Sequence, residues 1–445
     1  MADRVVILGA GESGVGAAIL AQAKGFEVFV SDKGAIKEKY KNVLNGYDIA
    51  WEEQQHTESL ILNANEVVKS PGIPEKVPLI QALLKQGTPV ISEIELAGRH
   101  TDATIIGITG SNGKTTTTLL THHMLQGAGL NVGLAGNVGH SLARQVAEAE
   151  HSHYVVELSS FQLDGMFDFT CDIAVLLNIT PDHLDRYEYQ LDLYAESKFR
   201  IAQNQTAAHH FVWCADDPEL VERVPKRIIP AQQWPFSIEN QLEKGAWLDN
   251  NELIINTKGE AFNMSIQKLA LQGKHNIYNS MAAGIASRLV EIRNDSIREK
   301  LSDFRNAEHR LEQVGTVYGI HFINDSKATN VNATWFALES MADSVIWIAG
   351  GVDKGNEYQM LMPLVRDRVK AIICLGVDNS KLIETFQNDV PHIYETQSMV
   401  EAVGFAYQLG TKGDSVLLSP ACASFDLFEN YEDRGNQFKS AVKAL

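Results

Sequence analysis

Residues 103–118 read ATIIGITGSNGKTTTT, an apolar run followed by a glycine-containing turn that ends in Gly-Lys-Thr at 113–115. A phosphate loop normally has a glycine, then four residues, then Gly-Lys-Ser/Thr. Here Ile108 holds that position, and the nearest glycines are Gly107 and Gly110. A β-branched strand, a flexible turn and a helical pattern still follow one another. The stretch therefore predicts a variant phosphate loop in an α/β fold.

Further apolar, β-branched runs recur along the chain, each bounded by Gly, Asn or Asp. They lie at 5–11, 154–160, 173–180, 210–217, 321–326, 345–351, 371–376 and 415–421. Helical patterns separate most of them, for example from 115 to about 125. The segment 252–266 reads as a hairpin within the less regular stretch 225–275. We expect parallel, doubly wound sheets with ligands at the carboxyl ends of the strands.

Composition restricts the class of protein. The 445 residues favour two to four domains, with polar seams at 99–103 and 303–310. A formal charge of −18 disfavours a nucleic-acid partner. Four widely spaced cysteines form no CxxC pair and predict buried, reduced thiols. No apolar run is long enough to span a membrane, and none resembles a signal peptide. We expect a cytoplasmic protein.

A second glycine-rich loop, GAGESG at 9–14, follows the first apolar run and opens a helix. Asp32 follows the next strand near the spacing of the dinucleotide fingerprint. Taken alone, the pattern indicates NAD and an oxidoreductase. The backbone N–H groups of such a loop accept any diphosphate, and an acidic side chain binds a ribose or a base edge. A UDP-sugar fits equally well, so both ligands stay open on these residues.

The loop at 110–116 provides the groups that ATP chemistry needs. Glycines let the backbone approach phosphates, Lys114 fits the β- and γ-phosphates, and the hydroxyl of Thr115 or Thr116 fits Mg²⁺. Glu157 ends an apolar strand at the edge where ligands bind. These residues predict an enzyme that transfers a phosphoryl group from ATP.

Longer motifs are spread over the chain. They are SPG at 70–72, TGSNGKTTTT at 109–118, GNVG at 136–139, ELSSFQL at 157–163, NITPDHLDRY at 178–187, SKFRIA at 197–202, GKHNIYN at 273–279, EHR at 308–310, NDSKATN at 324–330 and SPACASFD at 419–426. Together they resemble the Mur ligase family, and the last two are most similar to its D-glutamate-adding members. The resemblance runs from the first loop almost to the C-terminus.

The resemblance implies three domains, at 1–100, 101–306 and 307–445: a Rossmann-like domain for a UDP-substrate, a central P-loop ATPase with a parallel sheet, and a C-terminal Rossmann-like domain for the amino acid. It implies that ATP phosphorylates the carboxylate of UDP-N-acetylmuramoyl-L-alanine and that D-glutamate attacks the acyl phosphate, in cytoplasmic peptidoglycan precursor synthesis by a monomer. It favours the UDP-sugar over NAD. A sibling ligase with another amino acid, an NAD-dependent oxidoreductase and a non-enzymatic nucleotide-sugar sensor are the alternatives.

The resemblance also implies roles for individual residues. The catalytic set is Lys114, Asn137, His183, Lys198, Lys327 and Lys354. The ATP-binding set is Gly110, Ser111, Asn112, Gly113, Lys114, Thr115, Thr116, Asn279, Arg310 and Asp325. The UDP-substrate set is Gly11, Ser13, Gly14, Asp32, Ser70, Pro71, Gly72 and Asn137, while Lys33 and Gly34 depart from the family's uracil contacts. The D-glutamate set is Lys327, Thr329, Lys354, Ser419 and Phe425.

Two Mg²⁺ sites are implied by the resemblance, with ligands Thr115, Glu157, His183 and a carbamate formed by CO₂ on Lys198. From chemistry alone, Asp182 is a better Mg²⁺ ligand than His183, because Mg²⁺ prefers oxygen. A plain surface lysine is the alternative for Lys198, since an ammonium beside the metal is repulsive. A core position is the alternative for Phe425 and for His309, which otherwise joins the ATP-binding cluster, and helix capping is the alternative for Ser159 and Ser160.

Overall fold

The computed structural model describes residues 3–257, 259, 261–305, 308–341 and 343–445. Three β-sheets, largely parallel and accompanied by helices, follow one another along the chain. The contacts group the chain into two compact units, Met1–Ala270 with Ile277–Phe304 and Leu271–Asn276 with Arg305–Leu445. The first unit contains the first two sheets and the second unit contains the third.

The first sheet has the strand order β3-β2-β1-β4-β5, and every pairing is parallel. Its strands are β1 (Arg4–Leu8), β2 (Glu27–Asp32), β3 (Ala50–Glu53), β4 (Glu66–Lys69) and β5 (Val90–Ile91). Its helices are α1 (Glu12–Ala23), α2 (Glu38–Gly46), α3 (Glu58–Ile61), α4 (Pro78–Gln86) and α5 (Glu93–Gly98). The order reverses between β1 and β4, and an open α/β sheet binds ligands at such a switch point.

The second sheet has nine strands in the order β14-β13-β12-β11-β10-β9-β6-β8-β7. They are β6 (Thr104–Thr109), β7 (Val132–Gly136), β8 (His153–Glu157), β9 (Ile173–Leu176), β10 (His210–Cys214), β11 (Gln232–Ser237), β12 (Gly245–Asp249), β13 (Glu252–Asn256) and β14 (Phe262–Ser265). Its helices are α6 (Lys114–Gly127), α7 (Leu142–Glu148), α8 (Ser160–Leu163), α9 (Leu191–Phe199), α10 (Pro218–Arg223), α11 (Lys274–Leu289) and α12 (Asn294–Asp303). Strands β12 to β14 pair antiparallel at one edge.

The third sheet has the order β15-β16-β20-β17-β18-β19, with β15 antiparallel at its edge. Its strands are β15 (Glu312–Val317), β16 (Ile320–Asn324), β17 (Val345–Ala349), β18 (Val369–Leu375), β19 (His392–Thr396) and β20 (Ser415–Leu418). Its helices are α13 (Val331–Glu339), α14 (Met362–Arg368), α15 (Ser380–Phe386), α16 (Met399–Leu409) and α17 (Tyr431–Lys443). All of β17 is buried, as expected of a central strand with helices on both faces.

The predicted α/β class is confirmed, and so is the hairpin at 252–266, formed by β13 and β14. The stretch 225–275 is more regular than expected, because β11 and β12 continue the second sheet up to that hairpin. The seam at 99–103 lies between α5 and β6. The predicted boundary between 306 and 307 lies outside the described residues. The domain limits therefore stay predictions.

All four cysteines are buried free thiols, as the sequence indicated. Burial raises the pKa of Cys214 and Cys374 to about 12 and that of Cys422 to about 11, which leaves these thiols protonated at neutral pH. In the part of the chain that the structure describes, no helix is both long enough and apolar enough to cross a membrane.

Candidate active site

The predicted site residues of the second sheet follow four neighbouring strands, β9, β6, β8 and β7. The turn at 110–113 follows β6, Glu157 ends β8, Asn137 follows β7, and the segment with His183 follows β9. All four strands are parallel, so these ends meet at one edge of the sheet. The topology brings this group of predicted residues together.

The phosphate loop has the predicted context, because it connects β6 directly to α6. Gly113 is left-handed, with a φ of 82°. A Cβ there would lie 2.4 Å from Asn279 Oδ1, so the position requires glycine. Asn279 also accepts a hydrogen bond of 3.1 Å from Thr117 Oγ1. The structure thus places Asn279, which the resemblance assigns to ATP, against the phosphate loop.

Lys114 begins α6, and its ammonium donates to the carbonyls of Gly110 and Ser111, at 2.8 Å each. Thr115 and Thr116 are buried in the first turn of the same helix. Backbone N–H groups at a helix N-terminus and an adjacent lysine form a site suited to anions. The loop therefore has the cation, hydroxyls and backbone donors that a nucleoside triphosphate requires.

Glu157 is a buried carboxylate with only 1% of its surface exposed. It lies in register between Ile108 of β6 and Gly136 of β7. Its Oε1 accepts a hydrogen bond of 2.8 Å from the side-chain amide of Asn137, and its carbonyl accepts one of 2.9 Å from the Asn137 N–H. The two residues that the resemblance assigns to metal and substrate are therefore directly paired.

Lys198, on α9, is buried with 1% of its surface exposed, so the surface-lysine alternative is wrong. Its amine donates to the Gly110 carbonyl at 2.8 Å, on the same loop that Lys114 contacts. Burial lowers the pKa of this amine well below its ordinary value, and the positive charge of Lys114 lowers it further. The negative charges of Asp182, Asp164 and Glu157 oppose this lowering of the pKa. Lys198 thus lies within the group around the phosphate loop.

His183 has a left-handed backbone, with a φ of 51°, and precedes a short 3₁₀ helix, Leu184–Arg186. Its Nε2 lies 3.7 Å from Asp182 Oδ1, and its ring meets Phe161 edge to face at 5.4 Å. The two alternatives for the metal ligand, His183 and Asp182, are therefore neighbours. Ser159 is the N-cap of α8 in a capping box, which confirms the capping alternative for that serine.

In the described residues, no group of three or more His, Cys, Asp or Glu side chains is arranged to hold a metal ion. The hydroxyl of Thr115 and the carboxylate of Glu157 are hard oxygen donors of the kind Mg²⁺ prefers. Mg²⁺ is usually held by one or two protein oxygens together with substrate phosphates and water. This donor set therefore fits Mg²⁺ that arrives with ATP.

Apart from Asn137, which follows β7 of the second sheet, the predicted UDP-substrate residues follow three neighbouring strands of the first sheet. The loop at 9–14 follows β1, Asp32 ends β2, and the turn at 70–72 follows β4. Asp32 accepts hydrogen bonds of 2.7 Å from the N–H groups of Ala10 and Gly34. Its carboxylate therefore holds the glycine loop in shape, a role that the fingerprint alone does not indicate.

One basic and one aromatic side chain, Arg186 and Phe161, have no role predicted from the sequence, although both lie within the motifs quoted above. The guanidinium of Arg186 lies 4.5 Å from the ring centre of Phe161 and donates to the Gly72 carbonyl at 3.4 Å. Both residues, with Pro71, line a cavity of about 820 Å³ in the first unit. The sequence feature that could have identified them is an arginine and an aromatic residue within motifs that also carry predicted ligand-binding residues.

The predicted D-glutamate residues follow three neighbouring parallel strands of the third sheet, β16, β20 and β17. Lys327 and Thr329 follow β16, Phe425 follows β20, and Lys354 follows β17. Phe425 is 71% exposed, so the core alternative for it is wrong. The Lys327 ammonium lies 5.2 Å from the ring centre of Tyr431, an aromatic residue with no role predicted from the sequence.

Ser419 and Asp325 form a buried pair in the second unit. The Ser419 hydroxyl donates to Asp325 Oδ2 at 2.9 Å, and the N–H of Leu311 reaches Oδ1 at 3.2 Å. Burial raises the pKa of Asp325 to about 7, while the hydroxyl and the charge of Arg310 oppose that rise. Contacts of Ser419 with D-glutamate and of Asp325 with a ribose stay predictions. His309 is buried, which agrees with a packed histidine, and its Nδ1 lies 2.9 Å from Asn324 Nδ2.

Comparison with known proteins gives three family matches along the chain. They are the MurD N-terminal domain at 4–77, the Mur ligase middle domain at 108–287 and the Mur ligase glutamate ligase domain at 309–422. Among solved structures, a pseudomurein peptide ligase type C from Methanothermus fervidus has a TM-score of 0.64 at 18% identity, with 99% of both chains covered. UDP-N-acetylmuramate-alanine ligase MurC from Thermotoga maritima has a TM-score of 0.62 at 17% identity, again with 99% of both covered. These two likenesses show the fold alone.

Closer relatives match over their full length. A protein of Christiangramia forsetii is 55% identical over 445 residues, covering 100% of both chains. One of Bacteroides fragilis is 57% identical over 443 residues, covering 99% of this chain and 100% of its own. Both are named UDP-N-acetylmuramoylalanine–D-glutamate ligase. With three family models along most of its length and relatives more than half identical, the chain belongs to the Mur ligase family.

Proposed function

We propose that this chain is an ATP-dependent ligase that adds D-glutamate to UDP-N-acetylmuramoyl-L-alanine. The observation that carries the proposal is the phosphate loop with Glu157 and Lys198 at the same sheet edge. Relatives at 55% and 57% identity carry the name of that ligase, which supports the choice of substrates. The reaction belongs to peptidoglycan precursor synthesis, and hence to cell wall biogenesis, cell shape and cell division.

Activation of the substrate carboxylate is the first step. A carboxylate oxygen attacks the γ-phosphorus of ATP, the bond to ADP breaks, and an acyl phosphate forms. The ammonium of Lys114 and the N–H groups at the start of α6 stabilise charge on the transferring group. Asn137, whose amide donates to Glu157, contacts the substrate and that group in this proposal.

Amide formation is the second step. The amine of D-glutamate attacks the acyl carbon, the tetrahedral intermediate collapses, and inorganic phosphate leaves with the electron pair of the broken C–O bond. Lys327 and Lys354 pair with the two carboxylates of D-glutamate, and Thr329 adds a hydroxyl. The exposed ring of Phe425 covers the apolar part of the amino acid.

Mg²⁺, when bound with ATP, balances the charge of the phosphates. We propose Thr115 and Glu157 for one site and His183 with Lys198 for the other. Because burial favours the neutral amine of Lys198, that nitrogen can attack CO₂, form a C–N bond and release a proton. The resulting carbamate is an anionic oxygen ligand, which suits the metal better than an ammonium.

Location and assembly follow from the same proposal. ATP and nucleotide sugars are cytoplasmic metabolites, so we place the enzyme in the cytoplasm. We also propose that it acts as a monomer, because every predicted role is assigned to residues of one chain.

Phosphate release with ATP and UDP-N-acetylmuramoyl-L-alanine, measured with a panel of amino acids, tests the function. We expect turnover with D-glutamate only. Comparable turnover with L-alanine or a diamino acid would reject D-glutamate in favour of a sibling ligase. A parallel titration with NADH tests the oxidoreductase alternative. A saturable fluorescence change that the UDP-substrate displaces would contradict the assignment of the first loop.

A further inference from the structure

Glu93 is a buried carboxylate on α5, beside the first sheet, and it is hydrogen-bonded to the start of α7, beside the second sheet. It is 3% exposed. Its Oε1 accepts a hydrogen bond of 2.5 Å from the Ser141 hydroxyl and one of 2.6 Å from the Ala143 N–H. The N–H of Leu142 also favours its charged form. The side chain therefore satisfies the first N–H groups of α7, which have no partner within that helix.

The start of α7 lies close in sequence to a proposed catalytic residue. Three residues separate Asn137 from Ser141, the N-cap of α7. The Asn137 end of this loop is fixed by Glu157, through its carbonyl at 2.9 Å and its carboxylate at 2.8 Å. The Ser141 end is fixed by Glu93. The loop that presents Asn137 is therefore held by two buried carboxylates, one from each sheet's domain.

The same loop packs against α1, the helix that begins in the first nucleotide loop. A Cβ on Gly16, in α1, would lie 2.0 Å from Ser141 Oγ, so the two helices approach as closely as a glycine allows. In the first turn of α1, the carboxylate of Glu12 lies 3.8 Å from His140 Nδ1. Displacement of the Ser141 end would therefore change both the Asn137 loop and its fit to α1.

We propose that Glu93 is a positioning residue for the ligase reaction. It holds the start of α7 and thereby sets where Asn137 lies relative to the first nucleotide loop. The inference rests on the proposed function, because the contact of Asn137 with the substrate is part of that function. Glu93 itself is assigned no contact with a substrate and acts through the loop at 137–141.

Glutamine is the informative replacement. It has nearly the same shape, but it replaces one acceptor oxygen with an NH₂ group. The remaining oxygen can still accept from Ser141 and Ala143, as Oε1 does now, but the replacement removes the negative charge that these donors and the positive end of α7 stabilise. A small movement of a substrate-positioning residue is expected to have a large effect on rate.

Glu95→Gln is the matched control. Glu95 lies two residues further along the same helix and is 0% exposed. It accepts hydrogen bonds of 2.9 and 3.0 Å from the N–H groups of Phe167 and Phe169. Its other oxygen accepts from the Asp168 N–H and pairs with Arg99, and none of these partners is a predicted site residue, so the control disturbs at least as many contacts without touching the Asn137 loop.

Steady-state ligation gives the first readout. We expect Glu93→Gln to lower kcat/KM for the UDP-substrate by at least about tenfold, with the KM for D-glutamate unchanged. Glu95→Gln should keep the wild-type value, and an equal loss in both variants would overturn the proposal. Should Glu93→Gln fail to fold, Ser141→Ala must show the same loss, and normal kinetics of that variant would overturn it.

A double-mutant cycle gives the second readout. If Glu93 acts through Asn137, the Glu93→Gln change should have little further effect in an Asn137→Ala background. Equal effects of Glu93→Gln in both backgrounds would show that it acts elsewhere. Failure of the wild-type protein to ligate D-glutamate would instead reject the proposed function, so the two failures are distinguishable.

Discussion

Burial changes what the side chain of Lys198 can do. A lysine on the surface is a cation, whereas this amine lies inside the protein against the Gly110 carbonyl, and burial lowers its pKa well below the ordinary value. The reactive, neutral form is therefore favoured. The position of one amine in the fold, rather than its residue type, makes the carbamate proposal chemically reasonable.

The Lys198→Arg variant tests this proposal. Arginine stays protonated in proteins and cannot react with CO₂, so we expect it to be as inactive as Lys198→Ala. Wild-type protein incubated with ¹³C-bicarbonate should show a carbamate carbon by NMR, and both variants should lack it. Lys226→Arg, at an exposed lysine paired with Glu222, is the control and should leave turnover unchanged. Near-normal turnover of Lys198→Arg would show that the side chain acts only as a cation.

Glu93 gives a prediction about stability and pH. Burial and the charge of Glu12 raise its pKa from 4.5 to about 7 against the opposing hydrogen bonds of Ser141 and Ala143. Between these values the folded protein holds a proton that the unfolded chain has released. Its contribution to stability is therefore greatest below pH 4.5 and is lost as the pH rises toward 7, by up to about 3 kcal/mol.

Urea unfolding of wild type and Glu93→Gln between about pH 5 and about pH 8 checks this expectation. Glutamine does not titrate, so the wild type should lose stability relative to the variant as the pH rises through this range. Any constant offset between the two proteins reflects the changed hydrogen bonds. Curves that stay parallel across the range would contradict the raised pKa.

At the scale of elements, helices α1 and α7 join the first two sheets of the first unit. Gly16 lies where they meet, and a side chain there would overlap Ser141 Oγ at 2.0 Å and Ser141 Cβ at 2.6 Å. Ser141 is itself only 2% exposed and is bonded to Glu93, so it has little room to move. Close packing at this glycine therefore depends on two helices that are distant in sequence.

Gly16→Ala tests the packing of α1 against α7. Alanine normally favours a helix, but here its methyl group meets Ser141, and we expect a loss of about 1–3 kcal/mol. Gly404, in α16, is the control, because a Cβ there has no neighbour within 4 Å. Gly404→Ala should stabilise its unit by about 1 kcal/mol through helix propensity. Thermal unfolding of both variants checks the two signs, and stabilisation by Gly16→Ala would refute the close approach.

At the scale of the whole molecule, the two predicted nucleotide loops follow strands of different sheets. The loop at 9–14 follows β1 of the first sheet, and the loop at 110–113 follows β6 of the second. The third sheet holds the cations predicted for D-glutamate. The two nucleotide loops are thus assigned to different sheets, although the predicted UDP-substrate set also includes Asn137 of the second sheet and the predicted ATP set includes Asp325 of the third.

Lys114→Ala tests this separation. Loss of one contact to the transferring phosphoryl group should lower the rate by 10²–10³, equivalent to about 3–4 kcal/mol. Binding of the UDP-substrate, measured by calorimetry, should stay close to wild type because its predicted loop lies on another sheet. If the variant also lost affinity for the UDP-substrate, the assignment of one loop to each nucleotide would be wrong.

The sequence by itself predicted the α/β class, the strand–loop–helix context of the phosphate loop and the edges at which site residues collect. These features depend on residues close together in the chain: a β-branched run predicts a strand, and Gly-Lys-Thr after it predicts a phosphate site. The motifs also pointed to the family to which the chain belongs. Short or edge strands lack the continuous apolar run of a central strand, and those not named from the sequence are β3, β4, β5, β7, β11, β12, β15 and β19.

Only the tertiary structure decided which polar groups are buried and with what they are paired. Nothing in the residues around Glu93 indicates that Ser141 and Ala143 will be its partners. The burial of Lys198 and the pairing of Ser419 with Asp325 are of the same kind. Burial and pKa depend on groups brought together from distant parts of the chain by packing, and local sequence patterns contain no information about those distances.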